Sequence, residues 1–167
     1  MTIPPSTPTT EQHTPPHRVL VLVDARPDSR AAVIWAAHWC NRMGDDMELL
    51  HVIEPDQLIG FGLVHDAVQA ERIAEATLLL DDLSALAERL CHKVPTRLIR
   101  QGTLKNAARD CLQSEVNLSL VVMAASHREA GPAPFIGYLA SRMGSRVAVP
   151  LVLVPGTLGE EEIDDII

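Results

Sequence analysis

The chain has 167 residues, 47% of them hydrophobic, and sets 14 Lys plus Arg against 22 Asp plus Glu for a formal charge of -8. That length and apolar content suffice for one buried core and leave little room for two. The acidic balance, with no basic stripe anywhere, argues against nucleic acid as a partner.

The opening MTIPPSTPTTEQHTPPH has neither the basic start nor the apolar run of a secretory signal, and its Pro and Thr content predicts a disordered tail over 1–17. Arg18 to Val23 (RVLVLV) is a continuous apolar run rich in β-branched residues, as in a strand buried on both faces. Pro27, Asp28 and Ser29 offer a turn and a helix start, after which Ala32, Trp35, Ala36, Trp39 and Met43 recur at spacings of three and four. Met47 to Ile53 is a second strand, ended by Glu54-Pro55. Beyond the loop DQLIGFGLVH, which is a candidate cover for a separate ligand pocket, a long helix is expected from about Asp66 to Leu90, with Ile73, Ala76, Leu80, Leu83, Ala87 and Leu90 facing inward.

Thr96 to Arg100 is a third strand whose polar residues suit a sheet edge. A helix follows Gly102-Thr103 with Leu104, Ala107, Ala108 and Cys111 on one face, then a fourth strand, Leu118 to Ala124. Phe135, Leu139, Ala140 and Met143 mark a fourth helical face, and Pro150 introduces the last strand, Leu151 to Val154. Strands alternating with helices require right-handed crossovers, so the fold class is α/β, a five-stranded parallel sheet with helices on both faces. The domain is expected over 18–156, and the final 157–167 reads as a solvated acidic tail.

Cys40, Cys91 and Cys111 are scattered among apolar neighbours and read as buried thiols of a reducing compartment. No segment is long and uncharged enough for a membrane span, so the expected address is cytoplasmic. There is no metal-ligand spacing, no P-loop and no nucleophile elbow. His51, inside a strand, reads as a satisfied histidine, and His38, His65 and His92 lack spaced partners.

The segments VLVLVDARPDSRAAVIWA, LLHVIEP, RQGTLKNAARDC, LVVMAAS, GYLASRM and VPLVLVP, in this order, resemble the universal stress protein family from about Arg18 to Pro155. The resemblance implies the strand order 3-2-1-4-5 of adenine nucleotide α-hydrolase-like folds and a homodimer made through the last strand, with Leu151, Val152, Leu153 and Val154 at the interface. In family members that bind ATP, the fourth strand runs into a glycine, two residues, a second glycine, nine residues, then glycine with serine or threonine. An ungapped match puts Ala124, His127, Gly137 and Tyr138 at those positions, and three of the four depart.

Each departure has a physical meaning. A phosphate loop needs close backbone approach, which Ala124 hinders with a Cβ and His127 with a ring. Tyr138 puts a bulky group where a short hydroxyl would meet a phosphate, and Pro132 and Pro134 stiffen the loop. Against this, the resemblance implies a vestigial or weak nucleotide crevice at Asp24 and Val52, and His127 with Arg128 could offer charge to an anion. Arg26 stands beside Asp24 and is a candidate partner for it.

Three functions stay open. The preferred one is a non-catalytic homodimer of the stress family, not an enzyme, without ATP or another cofactor, acting through an unidentified protein partner. The second is a regulator binding ATP or AMP through an aberrant loop. The third, a nucleotide hydrolase or transferase, needs a Gly- and Ser-rich loop where the chain has DARPDSR.

Overall fold

A computed structural model of the chain describes residues 16–55, 63–114, 117–125, 137 and 149–167. Its elements in chain order are β1 (Arg18–Val23), α1 (Ser29–Met43), β2 (Asp46–Ile53), α2 (Leu63–Cys91), β3 (Thr96–Gln101), α3 (Leu104–Ser114), β4 (Leu118–Ala125), β5 (Leu151–Pro155) and α4 (Glu160–Ile166). The helix expected around Phe135 to Met143 lies outside the described residues.

The five strands form one sheet in the order β3-β2-β1-β4-β5, and every pairing is parallel. Strand alternation sends Val19, Val21 and Val23 into one core with α1 and α2, and Leu20 and Leu22 into another with Ala108, Cys111 and Leu112 of α3. The apolar runs of β1, β2 and β4 are thus explained by burial on two faces, as parallel sheets require. All three cysteines are free and buried. Burial pushes the Cys40 thiol up to about 12, which leaves it inert at neutral pH.

Helix ends follow local chemistry. Gly44 takes a left-handed conformation at φ 76° after α1, and its N–H donates to the Cys40 carbonyl at 2.8 Å. His92 does the same after α2 at φ 57°, with its N–H on the Glu88 carbonyl at 2.9 Å.

Two inward stripes differ from expectation at their ends. Met43 is 60% exposed at the last residue of α1, and Ile73 is 39% exposed in α2, while Ala76, Leu80, Leu83 and Ala87 are buried as their spacing predicts.

The acidic end departs further from a solvated tail. Residues 160–166 form α4, and Ile163 is fully buried in the α1/α2 core. The Glu162 carboxylate accepts the Gly159 N–H at 2.8 Å, and three glutamates in the first turn complement the positive end of the helix dipole. Arg89 of α2 reaches Glu160 through two hydrogen bonds, and His38 and Arg42 of α1 face Asp164 at 3.2 and 3.7 Å. The turn before α4 is equally close: a Cβ on Gly156 would sit 2.5 Å from Cβ of Asp28.

Candidate functional site

Open parallel sheets hold ligands outside the carboxyl ends of their strands, where connections leave to opposite faces. Here that point lies between β1 and β4, with Asp24 just after β1 and Ala124 and Ala125 at the end of β4. Asp24 follows the last residue of β1, just before the turn into α1.

The Asp24 carboxylate is already occupied. An ionised carboxylate offers about four acceptor directions. The backbone N–H of Arg26 and the hydroxyl of Ser29 both donate to Oδ1 at 2.9 Å, and Nε–H of Arg26 donates to Oδ2 at 2.7 Å. Nη2 of Arg26 also pairs closely with Oδ2. Ser29 in turn accepts the Asp24 N–H at 2.9 Å, so the strand end, the turn and the first residue of α1 form one closed network. Burial pushes the Asp24 carboxyl up, but the Arg26 and Ser29 hydrogen bonds outweigh it and hold the group below its ordinary value.

The expected cap residue behaves differently. Asp28 precedes α1 but makes no side-chain cap bond, and the buried Ser29 is tied to Asp24 instead. The sequence pairing of Asp28 with Ser29 is therefore a helix start, with no catalytic geometry.

Val52 is half-buried and packs on the α3-side core, in agreement with a packing role for its side chain. Ala124 is half-buried in β4, paired in register with Val154. Gly137 is helical and exposed. His127, Arg128 and Tyr138 lie outside the described residues. His51 is satisfied as expected: its Nδ1 lies 3.0 Å from the Val23 carbonyl, which can only accept. Among the described residues no group of three His, Cys, Asp or Glu side chains is placed to hold a metal, and no helix is long and apolar enough to cross a membrane.

Of the four β5 residues expected at an interface, Val154 points into the core at 2% exposure, Leu151 and Val152 are half-buried, and Leu153 is 40% exposed. The residue whose importance the sequence understated is Arg26. Its two-residue spacing from Asp24 suggested an ion pair, but not that the pair would use both carboxylate oxygens and the backbone as well.

A parallel sheet in the order 3-2-1-4-5 with helices on both faces defines an α/β protein of Rossmann-like fold. Its membership is narrower. The model of the universal stress protein family matches residues 16–155, and the chain belongs to that family. Solved structures agree in fold. The universal stress protein UspA from Lactobacillus plantarum matches at a TM-score of 0.64 with 17% identity, covering 83% of this chain and 97% of that one. A universal stress protein in complex with cAMP matches at 0.60 with 14% identity, covering 84% and 98%. The universal stress protein from Archaeoglobus fulgidus in complex with dAMP matches at 0.51 with 15% identity, covering 83% and 97%. No curated protein matches the chain in sequence. Family membership supports a stress-protein role.

Proposed function

We propose that this chain is a non-enzymatic stress-family homodimer that acts through protein contacts and does not use ATP. The observation that carries this reading is the saturated Asp24 carboxylate. A ribose hydroxyl is a neutral donor, and to reach Asp24 it must displace a guanidinium that binds by charge-assisted hydrogen bonds. Ala124 adds a Cβ where a phosphate-binding glycine would stand, and His127 and Tyr138 add bulk to the same loop by their sequence positions. Asp24, Val52, Ala124, His127, Arg128, Gly137 and Tyr138 are in this reading a vestigial crevice.

Assembly is supported by the contrast between the two sheet edges. β3 is blunted by the exposed Arg97 and Arg100, whereas β5 presents Leu153 and carries no charged side chain. Pairing of the outer backbone edge of β5 with its copy would give an isologous dimer through Leu151 to Val154. Light scattering at micromolar concentration tests this: twice the monomer mass is expected, and a monomer would refute it. A cytoplasmic site of action and an unidentified protein partner complete the reading.

A second reading is favoured by one finding: two structures of the same fold are complexes with cAMP and dAMP. In that case the chain is a regulator holding an adenine nucleotide weakly. Protein purified without added nucleotide, denatured and chromatographed, separates the two: stoichiometric adenylate would favour the regulator.

A further inference from the structure

We propose that the groove of α1 and α2 filled by α4 is a docking site for an acidic amphipathic helix of a partner protein, with α4 as its built-in competitor. The inference rests on the protein-contact reading and deepens it by naming the partner's chemistry. Its test is a peptide titration, so it can fail while the closed crevice and the β5 pairing stand.

The helix α4 is an addition to the family's domain. The family match ends at residue 155, and the five-stranded sheet is complete at Pro155, five residues before α4 begins. What α4 covers is an apolar slot with a cationic rim. Ile163 is fully buried in the slot, Arg89 of α2 makes two hydrogen bonds to Glu160, and His38 and Arg42 of α1 face Asp164. On a chain of formal charge -8, such a rim selects an acidic occupant. One aliphatic anchor flanked by carboxylates on a helix is the chemistry of helix-in-groove recognition.

This surface is met incompletely by α4. Its seven residues are too few to hold a helix by themselves in water. Oδ1 of Asp164 serves two groups, Nδ1 of His38 at 3.2 Å and Nη2 of Arg42 at 3.7 Å, and the second distance is too long for a hydrogen bond. Nδ1 faces a carboxylate, which can only accept, so it carries the ring's proton and leaves Nε2 of the neutral ring as an acceptor. That nitrogen is buried and, among the described residues, has no hydrogen-bond partner. A longer helix in the same groove would give Arg42 a carboxylate of its own and Nε2 a donor, two contacts that α4 does not make. The advantage of α4 is its tether, which supplies a local concentration on the order of millimolar.

The test uses the full-length protein and a fluorescein-labelled peptide with the sequence of residues 157–167, followed by fluorescence anisotropy. Saturable binding is expected to Ile163→Ala, whose own α4 is loosened, and binding to wild type should be weaker by about tenfold or more. Adding Arg42→Ala and Arg89→Ala together should weaken it by about fivefold. A peptide carrying Ile163→Asp should show no saturable binding. Amide spectra check that the variants are folded. If Ile163→Ala is not, Glu160→Gln with Asp164→Asn, at exposed carboxylates, loosens α4 without touching the core and gives the same readout. Absence of saturable binding to the loosened protein below about 1 mM overturns the proposal, as does equal binding of the Ile163→Asp peptide. Loss of the wild-type dimer in Ile163→Ala would overturn it in favour of α4 exchanged between two copies.

Discussion

Replacing Ile163 with alanine tests whether α4 is part of the core. Ile163 is fully buried, and its helix has only seven residues, too few to be stable by itself in water. Truncating a buried isoleucine to alanine costs about 2–5 kcal/mol from lost transfer energy and the cavity left behind. A terminal helix can undock, which caps the loss at the free energy of docking, so the lower half of that range, about 2–3 kcal/mol, is expected. At this chain length such a loss lowers Tm by roughly 4–12 °C. Urea unfolding should show a lower midpoint with little change in slope. The control is Ile166→Ala, at a residue 64% exposed, which should stay within about 0.5 kcal/mol of wild type. If the two variants prove equally stable, α4 is not docked through Ile163 and the reasoning fails.

Two further outcomes follow from close contacts near α1. Gly156→Ala should destabilise by about 1–3 kcal/mol, because its Cβ would sit 2.5 Å from Cβ and 2.6 Å from Cγ of Asp28. Adding Asp28→Gly should recover most of that loss in a double-mutant cycle, and no recovery would refute the clash. The Asp24 carboxyl, held below its ordinary 3.8, adds stability that is complete above that value and lost as pH falls through the lower folded one. Acid unfolding of Asp24→Asn should therefore differ from wild type above about pH 4 and converge with it below; parallel curves would contradict the assignment.

Much of this fold is written in single segments. The two-sided burial of β1 follows from RVLVLV itself, and the charged edge of β3 from Arg97 and Arg100. Where the reading failed, tertiary context decided. The stretch EEEIDDI has one interior apolar residue among five acids, so neither periodicity nor hydropathy marks it as core. It is ordered because α1 and α2 provide a slot for that one side chain and cations for its flanks. The outward turn of Met43 has a similar origin, since α1 ends there and no element covers it.

The candidate crevice was legible in part. The departures at Ala124, His127 and Tyr138 could be read from spacing, as could the nearness of Arg26 to Asp24. The saturation of the carboxylate could not, because it depends on the turn that brings the buried Ser29 hydroxyl back to Oδ1.

The central claim is that the strand-end crevice is closed to ATP by the Asp24–Arg26 network and the altered phosphate loop. Calorimetric titration of the full-length protein with ATP and Mg²⁺ tests it most directly. No saturable binding is expected below about 1 mM, equivalent to less than roughly 4 kcal/mol of binding free energy. A micromolar constant in wild type, abolished by Asp24→Asn, would show that the guanidinium yields to ligand and would contradict the account.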